Sequence, residues 1–233
     1  MKFILVGIVF LIIYLICLYY PIYRASQIAE KTIAHNIPYE QHPHNPSMYI
    51  LVAGDSSAAG VGAITPKESI AGRLGQKYPD ADLLNIGVSG AQIEDLLNVL
   101  KTQKKHYDLI LLQIGANDVT HFSSYQTIRK GITEVLAISD QLGTKTVLLT
   151  SGDLGVIPIF HWPLSWIMTD RTRKVRDIFV EESSKYNSVS YIDLFYELKR
   201  NRVNLTNSYA PDSFHLNEKG YEVYYHFVEE KLK

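Results

Sequence analysis

The chain has 233 residues, of which 46% are hydrophobic and 20% charged, and its formal net charge is −1. This composition suits one packed domain with an appendage and excludes a largely disordered chain. The near-neutral charge gives no reason to expect nucleic acid as a partner, because nucleic-acid binding requires a basic face. Cys17 is the single cysteine, so the rest of the chain has no disulfide, no cysteine-based zinc site and no thiolate nucleophile.

An uncharged run opens the chain: residues 3–23 contain no Asp, Glu, Lys or Arg and are rich in Leu, Ile, Val and Phe. This length matches the roughly 20 residues that a helix needs to cross a bilayer core. The main alternative is a cleaved signal peptide, whose apolar region is usually about 7–15 residues long and ends in small residues. Because Tyr20-Pro-Ile-Tyr23 is bulky, we predict that residues 1–23 are a retained, single-pass signal-anchor.

Charges on the two sides of this run bear on its orientation. Lys2 precedes the run, whereas Arg24 and Lys31 follow it, so the positive-inside count slightly favours a cytoplasmic C-terminal domain. Large C-terminal domains translocate regardless of such small imbalances. We therefore expect an extracytoplasmic domain, although the charges alone leave the direction open.

Residues 24–47 are interpreted as a linker. A short helix is expected over 25–34, and three prolines within residues 38–46 then disfavour both helix and central strand. His42 and His44 could form a metal pair, but no carboxylate or third ligand lies at a convincing spacing. We therefore expect a solvated segment that holds no metal.

Beyond the linker, short apolar runs alternate with longer helix-like stretches. The runs are apolar throughout, as expected for strands buried on both faces of a parallel sheet. Their alternation with helices predicts a three-layer α/β/α sandwich for residues 48–233, with a central parallel sheet of about five strands, preceded by the N-terminal transmembrane helix. The expected strands are 49–53, 82–86, 109–114, 146–150 and 189–192, and the expected helices lie near 67–78, 93–105, 125–142, 170–187 and 217–232.

Small and polar residues follow the first three strands, at the carboxyl ends where reactive groups gather in such folds. Ser56 comes just after the first strand and is either an exposed nucleophile or part of an ordinary turn. Gly90 follows the second strand. Because glycine has no side chain, it either lets a backbone N–H approach a reacting oxygen or only allows the loop to turn. Asn117 follows the third strand and offers uncharged N–H donors to an oxyanion, or forms an Asx turn.

A carboxylate and a histidine stand three residues apart near the C-terminus, as Asp212 and His215. Such a carboxylate can hold the imidazole in one tautomer and leave its other nitrogen free to take a proton from a serine. Alone, this pattern is more often a surface turn or a helix cap. The remaining histidines of the domain lack comparable neighbours and are interpreted as packing or surface residues: His106, His121, His161 and His226.

The four signals occur in the order nucleophile, donor, donor and acid–base pair. In this block order the chain resembles the SGNH (GDSL-like) hydrolase family over residues 49–232, with Gly-x-Asn-Asp and Asp-x-x-His as the most specific motifs. The resemblance implies a flavodoxin-like SGNH-hydrolase domain that needs no metal or organic cofactor. One departure is Ser57, which stands where the Gly-Asp-Ser-Leu signature has leucine and raises the question of which serine reacts.

Carried over by motif, the resemblance implies that Ser56 is the nucleophile, His215 the general base and Asp212 its orienting carboxylate. It also implies three oxyanion donors: the backbone N–H groups of Ser56 and Gly90 and the side-chain amide of Asn117. The expected reaction is cleavage of a carboxylic ester through an acyl-enzyme on Ser56.

Two segments bear on the substrate. Residues 155–168 are apolar and aromatic, and they either bind an acyl chain, touch lipid or form a lid packed on the core. The basic cluster at 171–176 either meets lipid headgroups or is a solvated helix face. With the anchor, these features favour lipid-like or acyl esters as substrates. The alternatives are a carbohydrate O-acetyl esterase acting on envelope polysaccharide and a catalytically silent, membrane-tethered binding protein; the oligomeric state does not follow from the sequence.

Overall fold

The computed structural model describes residues 2–233. Five strands form one parallel sheet in the order β2-β1-β3-β4-β5, which is the flavodoxin-like doubly wound order. The strands are β1 Met48–Gly54, β2 Ala81–Asn85, β3 Tyr107–Gln113, β4 Gly143–Leu149 and β5 Val189–Ile192.

Helices cover both faces of this sheet. In chain order, the helices of residues 2–233 are α1 Lys2–Ala34, α2 Ser56–Ala59, α3 Ile70–Lys77, α4 Ile93–Thr102, α5 Ala116–Thr120, α6 Tyr125–Leu142, α7 Leu164–Ser183, α8 Leu194–Arg200 and α9 Glu218–Lys231. Successive residues of a strand point to opposite faces, so Leu51 and Ala53 of β1 pack with α4, α6 and α7, whereas Ile50 and Val52 pack with α3 and α9. The predicted α/β/α sandwich around five parallel strands is therefore confirmed.

Three short helices, α2, α5 and α8, were not predicted from the sequence. Each begins soon after the carboxyl end of a strand, and each is too short to show a helical apolar repeat. Helix α7 begins at Leu164, before the predicted start near residue 170. Trp166 and Met168 therefore belong to a helix and not to the loop predicted at 155–168.

One continuous helix, α1, joins the apolar N-terminal run to the domain. By length and composition it is able to cross a membrane, a test that a signal sequence also passes. The separate short helix expected at 25–34 is instead the end of α1, which passes through Pro21 without a break. Residues three and four apart share a helix face, and one such stripe of α1 is partly shielded by the domain: Leu18, Ile22, Ala25, Ala29 and Ile33.

Residues 35–47 run along the domain and form hydrogen bonds with it, while no residue of this segment is fully buried. Gln41 forms an antiparallel bridge with Leu83 of the edge strand β2. The His42 Nδ1 atom lies 2.6 Å from Asp82 Oδ1, so His42 is hydrogen-bonded to the domain. At Gln41 the segment occupies part of the β2 edge of the sheet, where backbone groups would otherwise be open to pairing with another chain.

Candidate active site

Ser56 begins α2 directly beyond the end of β1. Gly54 has φ +143°, and a Cβ there would lie 1.8 Å from the carbonyl oxygen of Gln113, so the turn requires glycine. The Asp55 carboxylate then caps α2 by accepting the Ser57 N–H at 2.9 Å. This turn carries the chain sharply from the buried strand to a serine at the carboxyl edge of the sheet.

Gly90 lies in the loop after β2, and Asn85 fixes this loop to α2. The Asn85 amide donates to the Ala58 carbonyl at 2.9 Å and accepts the Gly87 N–H at 3.0 Å. Gly90 is exposed with φ +82°, and a Cβ at this position would meet no atom within 4 Å. Within residues 2–233 the Gly90 N–H has no hydrogen-bond partner, so it is free to bind an incoming group.

Asn117 lies in the first turn of α5, which starts after Gly115 with φ +113°. Asn117 Nδ2 donates one hydrogen to the Ala91 carbonyl at 3.0 Å, and the amide retains a second N–H. Because Ala91 is the neighbour of Gly90, this bond fixes the Asn117 amide relative to the Gly90 loop. The two predicted oxyanion donors are thus held as one unit.

Two further carboxylates, Asp55 and Asp118, are buried beside these loops. Burial raises the pKa of each to about 6, against the opposing effect of the backbone N–H groups that they accept. Those N–H groups belong to Ser57 in α2 and Ile93 at the start of α4, the latter at 3.1 Å. Both carboxylates therefore position helix starts around the site.

The C-terminal motif forms a buried pair in the loop before α9. His215 Nδ1 and Asp212 Oδ2 are 2.6 Å apart, and Asp212 Oδ1 accepts the backbone N–H groups of Phe214 and His215, each at 2.9 Å. Burial opposes ionisation of Asp212, but the hydrogen bonds from the His215 ring and the two N–H groups outweigh it and hold the pKa of the carboxyl below its ordinary value. The carboxylate is therefore ionised at neutral pH and fixes the orientation of the ring.

One pocket at the carboxyl edge of the sheet brings these motifs together. Ser56, Asn117 and His215 line the pocket, and Asp212 lies behind the His215 ring. Gly90 is not a lining residue; its loop adjoins the pocket through the Asn117 side chain. Within residues 2–233 no hydrogen bond joins the Ser56 hydroxyl to His215, and catalytic hydrogen bonds of this kind often tighten only when substrate binds.

The apolar segment after β4 forms one wall of the pocket. Leu154 and Ile157 line the pocket and are buried, and the Phe160 ring packs edge-on against Phe214, with 6.2 Å between the ring centroids. Val156 also lines the pocket although it is 61% exposed, whereas Trp162 and Trp166 do not line it and are 73% and 68% exposed. The segment is thus packed on the core on one side and is an exposed apolar surface on the other.

The basic cluster at 171–176 is engaged within the protein. Each of its four cations has a partner: Arg171 binds two backbone carbonyls, Arg173 and Lys174 pair with Asp170, and Arg176 pairs with Asp193. These contacts favour a structural, solvated helix face over a site for lipid headgroups.

Two tyrosines of α9 that the sequence analysis did not single out hold the loops around the pocket. Tyr221 donates to the Val61 carbonyl at 2.8 Å, and the Tyr224 hydroxyl accepts the Gly152 N–H at 3.1 Å. Burial raises the pKa of both phenols, so both stay protonated at neutral pH. In the sequence, the only indication of this role is the three-residue spacing that places both tyrosines on one face of α9. Most helices that pack on a core show the same spacing, so it does not identify these two residues.

Comparison with known proteins bears on this site. The sequence matches the GDSL-like lipase/acylhydrolase family over residues 52–223. Among curated proteins, none is similar enough in sequence to count as a relative.

Several solved structures share the fold. A member of the lipolytic G-D-S-L protein family from Veillonella parvula has a TM-score of 0.63 at 16% identity, covering 79% of this chain and 97% of that one. A lipase/acylhydrolase from Enterococcus faecalis has a TM-score of 0.58 at 18% identity, covering 79% and 94%. An acetyl xylan esterase from Geobacillus stearothermophilus has a TM-score of 0.57 at 18% identity, covering 80% and 94%.

The family match runs from β1 to α9 and includes every loop that contributes to the pocket. The resemblance predicted from the order of the sequence motifs is therefore confirmed, and this chain belongs to the GDSL-like lipase/acylhydrolase family.

Proposed function

We propose that this protein is a serine ester hydrolase held at a membrane by α1, with Ser56 as its nucleophile. The observation that carries the proposal is the Asp212–His215 pair, with 2.6 Å between its Oδ2 and Nδ1 atoms, beside Ser56 in one pocket. A serine, a histidine and a buried carboxylate in this relation are the groups that acyl transfer requires.

His215 acts as the general base and later as the general acid. Its Nδ1 donates to Asp212, which leaves Nε2 to accept the proton of the Ser56 hydroxyl as the oxygen attacks the ester carbonyl. The ionised Asp212 stabilises the imidazolium that forms. His215 then protonates the leaving alcohol, and a water molecule deprotonated by the same nitrogen releases the acyl group from Ser56.

The oxyanion is bound by the backbone N–H groups of Ser56 and Gly90 and by the second N–H of the Asn117 amide. The free N–H of Gly90 and the Asn117–Ala91 hydrogen bond support this assignment. Loss of one such donor typically costs about 2.7–4 kcal/mol of transition-state stabilisation.

Lipid-like or acyl esters are the proposed substrates. The buried Leu154 and Ile157 of the pocket wall support this, because apolar walls bind acyl chains. The second candidate is a carbohydrate O-acetyl ester, since the same machinery serves acetyl groups and a structural neighbour is named an acetyl xylan esterase. A series of synthetic esters of increasing chain length separates the two: a sharp preference for acetyl favours the carbohydrate.

The proposed topology has a signal-anchor at 1–23, a connecting segment at 24–47 and the hydrolase domain at 48–233, with the domain outside the cytoplasm. The length and apolarity of α1 support the anchor. Resistance of the full chain to extraction from membranes by alkaline carbonate tests the anchor, and digestion of intact cells by an added protease tests the direction.

The test of the chemistry compares wild type with Ser56→Ala and His215→Ala on a panel of soluble esters. In the serine-hydrolase template, loss of either group lowers kcat by about 10⁶-fold. A fluorophosphonate probe should label wild type and Ser57→Ala but not Ser56→Ala, which decides between the two neighbouring serines. Near wild-type turnover in Ser56→Ala would refute the proposal. If the probe does not label the wild-type protein, the alternative of a catalytically silent binding protein is favoured instead.

A further inference from the structure

Helix α1 contacts the exposed side of the pocket wall. The Tyr14 hydroxyl donates to the Trp162 carbonyl at 3.3 Å. Tyr14 lies four residues before Leu18, so it continues the stripe through which α1 packs on the domain. The active-site wall therefore lies beside the apolar part of α1 and not only beside the part that follows Arg24.

The position of Tyr14 along α1 sets the depth of this contact. A helix rises 1.5 Å per residue, so Tyr14 lies about 14 Å before Tyr23 along the axis. Crossing a bilayer core takes roughly 20 residues, and the uncharged residues that supply them run from 3 to 23. If the membrane surface lay on the N-terminal side of Tyr14, only residues 3–13 would remain inside the bilayer, and these are too few to cross its core. A spanning α1 therefore brings Trp162 below the membrane surface.

The side chains at this level suit a membrane. We call Trp162 and Trp166 the aromatic tip; each is more than half exposed. No Asp, Glu, Lys or Arg occurs between Asp153 and Asp170, so insertion of the tip would bury no charge. Insertion also removes the exposed apolar surface of the indole rings from water.

We propose that the aromatic tip inserts into the leaflet from which α1 emerges, and that the pocket receives its ester from that leaflet. This inference rests on the anchor and the esterase activity proposed above. The proposed partner of the exposed tip is lipid. We prefer lipid to a protein partner because the tip segment contacts α1, the proposed membrane-spanning helix.

The same segment connects the tip to the reacting groups. Leu154 and Ile157 line the pocket, and Phe160 packs on Phe214, whose ring in turn meets His215 with 5.1 Å between centroids. A lipid that enters beside the tip thus meets an apolar wall that leads to His215. The substrate class that fits is an ester whose acyl chain stays partly in the bilayer while its carbonyl reaches Ser56.

The chain offers a direct readout, because Trp162 and Trp166 are its only two tryptophans. The full chain is reconstituted in phosphatidylcholine vesicles whose acyl chains carry bromine, which quenches tryptophan on contact. We expect loss of most of the emission with brominated chains and little quenching by aqueous iodide. Strong iodide quenching without bromine quenching overturns the inference, and shielding from both quenchers overturns it in favour of a second protein copy.

The activity arm uses the double variant Trp162→Ser/Trp166→Ser in the same vesicles, with Tyr196→Ser, an exposed aromatic on α8, as the matched control. The double variant should lose most of its activity on an ester carried in the bilayer and keep its activity on a soluble short-chain ester. Equal activity of wild type and double variant on the bilayer ester contradicts lipid entry at the tip. The quenching needs no enzymatic activity, so a failed esterase assay and a failed insertion are told apart.

Discussion

Asp212→Asn tests the proposed mechanism most sharply, because it replaces the hydrogen-bond acceptor that faces His215 Nδ1 with a donor and changes little else. Asn has the shape of Asp. Its side-chain oxygen can therefore keep accepting the backbone N–H groups of Phe214 and His215, which lie 2.9 Å from Asp212 Oδ1 in the wild-type protein. The other atom becomes an amide nitrogen that donates. His215 Nδ1 must then accept, so the ring carries its proton on Nε2, the nitrogen that has to take the proton from Ser56.

The expected loss follows from this change of tautomer. The Asp212 side chain is fully buried, so water does not replace the lost acceptor. In the serine-protease template the equivalent change lowers kcat by about 10⁴, which corresponds to about 5 kcal/mol of barrier. We expect a loss of that order in kcat on a soluble ester at neutral pH, with the fold retained by circular dichroism.

Asp118→Asn is the matched control, because Asp118 is another buried carboxylate that accepts a backbone N–H at this edge of the sheet but forms no hydrogen bond with His215. Its loss should be below tenfold. A folded Asp212→Asn protein within tenfold of wild type refutes the orienting role of Asp212. An equal loss in the control variant would instead trace the effect to carboxylate removal in general.

The pH dependence of stability gives an independent check on Asp212. A carboxyl whose pKa is lowered in the folded state stabilises the fold above its unfolded pKa of 3.8, and this contribution disappears as pH falls through the folded-state pKa. Wild type should therefore lose this contribution on acidification, whereas Asp212→Asn should not. Urea unfolding across the acidic range measures it, and parallel curves for the two proteins would contradict the lowered pKa.

Three further predictions follow from the same site. Asn117→Ala should lower kcat by about 10²–10³ with a smaller effect on KM, since the variant loses a donor and releases the Gly90 loop; a steady-state loss below tenfold argues against the oxyanion role. The Asp55 pKa of about 6 in the fold means that stability falls as pH rises from 3.8 to about 6, by up to about 3 kcal/mol; Asp55→Asn should lack this share in urea titrations, and an unchanged pH profile contradicts it. Gly54→Ala should cost more than about 4 kcal/mol, because its Cβ would lie 1.8 Å from the Gln113 oxygen; a Tm near wild type would show that the turn adapts.

The fold could be predicted from the sequence because a buried parallel sheet has a strong local signal. The run at 109–114 is apolar in every position except Gln113, which is the pattern expected for a strand covered on both faces. The candidate site could be predicted for a related reason. Ser56, Asn117 and His215 lie far apart in the chain, yet each follows a strand or precedes the last helix, and parallel strands bring their carboxyl ends to one edge.

The connecting segment could not be predicted in this way, because its partners are distant in sequence. Three prolines and three histidines within residues 35–47 indicate a segment that is neither helix nor central strand. They do not reveal that Gln41 pairs with Leu83 or that His42 meets Asp82. Likewise, the sequence of the wall segment does not separate the buried Leu154 and Ile157 from the exposed Trp162 and Trp166, since all four side chains are apolar.

The unbroken course of α1 into the domain determines where the proposed enzyme can work. A flexible coil of 24 residues in place of residues 24–47 would let the domain wander roughly 27 Å from its exit point. A helix shielded along one stripe, followed by a segment paired to β2, removes that freedom. The proposed enzyme therefore cannot search the space above the bilayer. Its encounters are confined to the plane in which α1 diffuses, so substrate supply depends on the lateral density of esters in that leaflet and not on their concentration in solution.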